Sequence, residues 1–283
     1  MKRDLNFNNK KPILYLVPTP IGNVSELSSR AISIIKDMDY IVAEDTRVSR
    51  KLLGMFDIKK TIISCHEHNE KEVSAEIINL IKSGKKVAYM SDAGMPCISD
   101  PGYILVKECL INDIYVSPLS GPNAALNALI ASGLNTKHFY FHGFLNAKDS
   151  VKKEELRKLL KREETLIFYE APHRIDKTLK AMFDILGNRR ACIAREISKI
   201  HEEFIRGNLE EFIEIDKTTL KGEMVIIIEG YNNEISTKLE PNEIINLIRS
   251  FQNMGMSTKD AIIKTSQLLN ISKNKVYSLY HRN

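Results

Sequence analysis

Between residues 13 and 117 the chain alternates short β-branched runs with amphipathic stretches of helical period, which restricts its first half to an α/β fold on a largely parallel sheet. Ile13 to Val17, Tyr40 to Glu44, Thr61 to Ser64, Lys86 to Met90 and Asp113 to Ser117 read as strands, and Leu27 to Asp37, Lys71 to Lys82 and Tyr103 to Ile111 as helices. After the Pro/Gly punctuation of SPLSGPNAA, a helix through Ala131 leads to further strands at Phe139 to Gly143, Thr165 to Tyr169, Ala191 to Arg195, Glu203 to Gly207 and Glu223 to Glu229. Fewer helices are expected between these, so the second half reads as mixed α+β. The expected division is an α/β domain over 1–117, an α+β domain over 118–230 opening at the Pro118 to Pro122 turn, and a helical appendage over 231–283.

In that appendage Pro241 opens a helix carrying Ile244, Ile245, Leu247, Ile248 and Phe251, and Gly255 stops it. Ser257 to Asp260 has capping-box spacing for a second helix, Asn270 breaks it, and Ser272 can cap a third from Lys273 to His281. Three such helices have helix-turn-helix spacing.

Hydrophobic residues at 43% and charged residues at 27% are ordinary globular usage, and runs such as Val225 to Ile228 are far too short to cross a bilayer. The basic start MKRDLNFNNKKP precedes only a five-residue apolar run, so no export signal is expected and the cytoplasm is the expected compartment. Cys65, Cys97, Cys109 and Cys192 form no C-x-x-C pair, which argues against a zinc ribbon or a disulfide framework. The net charge of +5 permits a polyanionic partner. Lys148 to Arg162 carries a local excess of basic residues that serves equally as a phosphate contact or a solvated helix face.

Four Gly/Pro-rich segments follow or open predicted strands: VPTPIGN, SDAGMPCISDPG, PLSGPNAA and KGEMV. Strand ends of an α/β sheet collect at its carboxyl edge, where ligands bind. None of the four is G-x-G-x-x-G or a P-loop, so a cofactor without phosphates fits better, and S-adenosylmethionine, an adenosine joined to a sulfonium cation, is such a cofactor. Each segment alone reads equally well as a turn. Together they point to a backbone-lined cleft, with Asp92 and Asp100 as cofactor-holding or loop-shaping carboxylates.

VPTPIGN, AEDTR (Ala43 to Arg47), CHEHN (Cys65 to Asn69), SDAGMPCISDPG, FHGFL (Phe141 to Leu145), FYEAPHR (Phe168 to Arg174), REISKIHEEFIRG (Arg195 to Gly207) and GEMV (Gly222 to Val225) occur in one order. In that order the chain resembles the RsmI-type ribosomal RNA small-subunit methyltransferases of the tetrapyrrole-methylase superfamily, over roughly Leu14 to Gly230. Met95, Ser120, Asn123 and Ala171 depart from the residues usual there. The resemblance implies a two-domain class III methyltransferase architecture with a helix-turn-helix-like appendage, 2′-O-methylation of a cytidine in the decoding region of small-subunit ribosomal RNA, and a homodimer. It places S-adenosylmethionine between the two domains, against Pro18, Thr19, Asp92, Ala93, Gly94, Ile98, Ser99, Gly121, Pro122, Asn123, Tyr169 and Met224.

A ribose hydroxyl is a weak acid, so a base or a cationic environment is expected beside it. Glu44, Asp45 and Arg47 are the first choice as catalytic residues, although the same residues serve equally as an ion pair capping the next helix through Thr46. His66 and His68 offer too few ligands for a metal, and methyl transfer needs none, so they read as substrate-side contacts. Glu170, His173, Arg174, Arg195, Glu196 and Lys199 resemble a rim for RNA, or a structural salt-bridge network. Two other functions compete: methylation of a small tetrapyrrole such as a uroporphyrinogen, and a non-catalytic nucleic-acid-binding module using Lys273, Lys275 and Arg282.

Overall fold

The computed structural model describes residues 12–232, 241–253, 255–269 and 273–281. The first 118 residues supply a five-stranded sheet of β1 (Ile13–Val17), β2 (Tyr40–Ala43), β3 (Thr61–Ser64), β4 (Val87–Met90) and β5 (Tyr115–Pro118), in the order β3-β2-β4-β1-β5. Every pairing in it is parallel. All five carboxyl ends therefore share one edge, with the loop Ser91 to Gly102 leaving the central strand. The intervening helices are α1 (Ser29–Asp37), α2 (Thr46–Gly54), α3 (Glu70–Lys82) and α4 (Tyr103–Ile111).

The second sheet contains β6 (Phe139–Phe144), β7 (Thr165–Glu170), β8 (Arg190–Arg195), β9 (Glu203–Asn208) and β10 (Met224–Ile228), in the order β6-β7-β10-β8-β9. Only β6 and β7 run parallel. The helices α5 (Ala124–Ser132), α6 (Asp149–Leu159), α7 (Ile175–Leu186) and α8 (Leu209–Glu214) make this half richer in helix than the sequence expects. Both sheets are covered on both faces, which is why their central strands read as unbroken apolar runs. In β10, Ile226 and Ile228 enter one core cluster, while Val225 and Ile227 enter the other. In β4, Val87 and Tyr89 face one layer, and Ala88 and Met90 the opposite one.

Two boundaries depart from expectation for local reasons. β5 begins at Tyr115 instead of Asp113, because Asp113 adopts φ +59° and the Ile114 amide returns to the Cys109 carbonyl at 2.9 Å. Those two residues close α4 before any strand can start. Helix α2 was anticipated only as an alternative role for AEDTR. Its cap is Asp45 rather than Thr46, with the Asp45 carboxylate accepting from the Arg47 amide at 2.8 Å.

The chain divides into two compact units. One takes in the described residues through Leu160 together with Glu164–Glu229, so both sheets belong to it; the other holds Lys161–Glu163 and the described residues from Gly230 onward. The second unit contains α9 (Pro241–Asn253), α10 (Thr258–Leu269) and α11 (Lys273–His281), packed around Ile244, Ile248, Ala261, Ile262 and Val276. Half of the expected capping box forms: Ser257 Oγ accepts the Asp260 amide at 3.2 Å and donates to Asp260 Oδ2 at 2.6 Å. Asn270, Ser272 and Arg282 lie outside the described residues, as does the basic start before Pro12. No helix among the described residues is long and apolar enough to cross a membrane.

Candidate functional site

The loops after β1, β4 and β5 are stitched to one another at the carboxyl edge. Thr19 and Gly94 exchange two backbone hydrogen bonds of 3.0 Å each. Thr19 Oγ1 donates to the Ser91 carbonyl at 3.0 Å, and Ser91 Oγ to the Gly94 carbonyl at 2.5 Å. Gly94 adopts φ +77°, a conformation that side chains disfavour. Gly121 lies so close to Pro18 that a Cβ would sit 2.2 Å from Pro18 Cγ. Pro18, Thr19 and Gly121 therefore build the site from behind.

In front of this stitch opens a cleft of about 260 Å³, walled on one side by the β4 loop and the start of α5, and on the other by β7, β10 and Phe144. Seven of the twelve expected cofactor residues line it: Ala93, Gly94, Ile98, Ser99, Asn123, Tyr169 and Met224. Pro18, Thr19, Asp92, Gly121 and Pro122 do not. Asp92 instead accepts the Asp45 amide at 3.2 Å, and Asn123 also caps α5 through the Leu126 amide at 2.9 Å. Tyr169 is held by Phe141 and Phe144, with ring centroids 5.1 and 5.4 Å away. Sequence reasoning missed Ile21, Phe144, Ile197 and Val225, whose apolar types signal only a core. It also left Asp100 between two roles, and Asp100 faces the cleft.

Asp100, Glu170 and Glu223 line the cleft, and no lysine, arginine or histidine does so among the described residues. Glu170 lies against Arg174 and Glu223 against Lys199, so Asp100 sets the charge of the lining, which suits an uncharged or cationic ligand and offers phosphates no counter-charge. Burial, and then the neighbouring Glu44 and Asp92, push the Asp100 carboxyl up to about 7. Glu44 is raised by the same kinds of cause, burial first and then Asp92. Asp45 goes the other way: its bonds with Arg47, including Nη2 to Oδ2 at 2.7 Å, hold it down to about 2. A carboxylate so stabilised is a poor proton acceptor, so within AEDTR the structure separates Glu44 from an Asp45–Arg47 capping pair.

His66 is half-buried, with Nδ1 lacking a hydrogen-bond partner, while His68 is exposed. Among the described residues no cluster of three or more His, Cys, Asp or Glu could hold a metal. Glu170 takes the salt-bridge alternative to the expected rim. It is buried at 2% exposure, accepts from Thr178 Oγ1 at 2.5 Å and lies 3.3 Å from Arg174 Nε. Arg174 turns inward as well, donating to the Leu145 carbonyl. His173 stays exposed. Arg195 pairs with Glu203 at 2.5 Å, and Lys199 bridges Glu196 at 3.0 Å and Glu223 at 2.9 Å. The basic stretch on α6 is partly consumed in helical ion pairs, Lys153 with Asp149 and Lys158 with Glu154.

Residues 13–213 match the family of tetrapyrrole (corrin/porphyrin) methylases. The chain is 45% identical to ribosomal RNA small subunit methyltransferase I of Bacillus subtilis (strain 168), covering 99% of each sequence. It is 43% identical to the protein of the same name from Halalkalibacterium halodurans, covering 96% of each. Among solved structures it superposes on uroporphyrin-III-C-methyltransferase from Thermus thermophilus with a TM-score of 0.56 at 16% identity, over 77% of this chain and 94% of that one. The methyltransferase CobJ gives 0.59 at 15%, over 78% and 95%. At such identities these two likenesses concern the fold.

One further residue holds the cleft together, and no motif singled it out. Glu70 opens α3 directly after CHEHN and is 5% exposed. Its Oε1 accepts the amides of Gly102, Ile104 and Leu105 at 3.0, 2.7 and 3.1 Å. An acid in the first turn of a helix ordinarily serves that helix; this one satisfies the orphan donors of α4 and anchors the far end of the β4 loop. Glu70→Ala is expected to lower the unfolding free energy by about 3 kcal/mol, because several buried amides lose their acceptor. Glu70→Gln keeps an acceptor oxygen and should lose less than half of that, as urea denaturation of the two variants will show.

Proposed function

The chain belongs to the tetrapyrrole methylase family, in its ribosomal RNA small subunit methyltransferase I branch, and on that premise we propose that it methylates the 2′-hydroxyl of a cytidine ribose in the decoding region of small-subunit ribosomal RNA, with S-adenosylmethionine as donor. The carrying observation is the cleft whose charged lining is wholly acidic. That chemistry fits a sulfonium donor and disfavours a phosphate-bearing one. The donor supplies an activated methyl group, which leaves positioning as the protein's largest task. Ala93, Gly94, Ile98 and Ser99 would hold it from one wall and Tyr169 and Met224 from the other, with Asp100 as the counter-charge. The same reading places the enzyme in the cytoplasm as a homodimer.

Of the three AEDTR candidates, Glu44 is the one suited to take the ribose proton. Its carboxyl is raised by burial and by Asp92, whereas Asp45 and Arg47 are committed to each other at the start of α2. Glu44→Gln is expected to lower kcat about a hundredfold or more with little change in donor affinity. Asp45→Asn should lower kcat far less.

Asp100 gives a pH signature. It ionises as pH rises through about 7, and the sulfonium charge does not titrate, so donor affinity should climb through that window and level off above it. In Asp100→Asn the profile, followed by calorimetry, should be flat.

The whole reading is tested by incubating the purified protein with labelled S-adenosylmethionine and, separately, small ribosomal subunits, naked ribosomal RNA and uroporphyrinogen. Label at a single ribose, resistant to alkaline hydrolysis, is the expected result. Transfer to uroporphyrinogen alone, or to none of the three, overturns it.

A further inference from the structure

Beside the acidic cleft lies a second hollow of about 400 Å³ in which Arg195, His201 and Lys221 stand against one acid, Glu196. Arg195, His201 and Lys221 bring nitrogen donors to it, Thr218 and Thr219 form a wall, and Gly222 lies next to Glu223, which lines the first cleft. The two sites are thus one residue apart on the strand leading into β10.

The acid in this hollow is already matched. Glu196 Oε1 accepts from Lys199 Nζ and from the Glu223 amide, each at 3.0 Å. The threonine hydroxyls donate to Asp216, so they shape the wall and have no proton to offer a ligand. Arg195 is steered from two sides, donating through Nε to Glu203 at 2.5 Å and through Nη1 to the Lys221 carbonyl at 3.3 Å. That second bond ties the guanidinium to the segment bearing Lys221. Lys221 and His201 are exposed, and neither side chain has a partner among the described residues.

The turn dividing the two hollows is held under backbone strain. Glu196 and Ser198 adopt φ +50° and +65°, a region that residues other than glycine seldom enter. Strain of this kind persists where surrounding contacts over-determine the backbone, and it clusters at ligand sites. The contacts here are the Lys199 bridge and Gly222, where a Cβ would fall 2.0 Å from Glu196 Oε1. The result is a fixed partition, with Glu223 at the donor cleft and Arg195, His201 and Lys221 at the hollow beside it.

Resting on the RNA reading above, we propose that this hollow binds a backbone phosphate of the acceptor strand adjoining the target ribose, with Lys221 as its principal cation and the outer edge of Arg195 as its second. A methyl acceptor that is a polyanion needs cationic contacts close to the donor but outside its cleft, and Lys221 with Arg195 offers two such groups here. The contact positions the strand; it touches no reacting atom.

The test uses the full chain with labelled S-adenosylmethionine and small ribosomal subunits. In Lys221→Gln, KM for subunits is expected to rise about tenfold, the loss of one charge-assisted contact. The slope of log(kcat/KM) against log salt should become shallower by about 0.7, the value for one phosphate contact on a single strand. Donor affinity and Tm should match the wild type, kcat should change less than KM, and Lys221→Arg should restore KM. Wild-type transfer combined with an unchanged KM and salt slope in Lys221→Gln overturns the phosphate site alone. No transfer by the wild type overturns the RNA reading, and the phosphate site falls with it.

Discussion

The paired hydrogen bonds between Thr19 and Gly94 are the constraint on which the cleft depends. They join the loop after β1 to the loop after β4, and they do so with backbone groups, so the geometry is set by φ and ψ instead of by side-chain reach. Gly94 makes the exchange in a positive-φ conformation, and Gly121 approaches the Pro18 ring only because it has no Cβ. With three strand-end loops locked in this way, Glu70 needs only to pin the other end of the β4 loop against α4. The cleft floor is thus set by backbone conformation at Thr19, Gly94 and Gly121.

A floor built from backbone leaves charge to be set by a few side chains, and their distribution divides the labour of the site. Glu44, Asp92 and Asp100 crowd together under partial burial, and desolvation is the first cause of the raised carboxyls in all three. Across the Glu196–Lys199–Glu223 bridge the exposed Lys221 and His201 line the second hollow. On the proposed reading a cationic donor and an anionic acceptor would have separate surfaces, which would limit competition between them.

Much of this was visible in the residues. The parallel order of the first sheet follows from its βα alternation, and seven cleft residues follow from motifs that match a family segment by segment. The points that sequence left open have identifiable causes. For Glu170 and Arg174 an RNA rim and a structural salt-bridge network looked alike in sequence, and the turn into α7 folds them onto each other, Thr178 and the Leu145 carbonyl. Asp45 and Glu44, adjacent in the chain, are separated by the N-terminus of α2, which draws one carboxylate into a cap. Asp92 was open between a cofactor-holding and a loop-shaping role, and its bond to the Asp45 amide is of the second kind. Apolar wall residues such as Ile21 and Val225 carry no signal that distinguishes a cleft from a core.

The sequence by itself determined the periodicities, the Gly and Pro positions and the family, because these are local or ordered properties of the chain. Only the tertiary structure decided which carboxylates are buried together, which are neutralised by a neighbouring base, and which bases remain exposed beside them. Burial and pairing are relations between segments distant in sequence, such as Glu70 with Gly102, or Arg195 with Lys221, and no single segment encodes them.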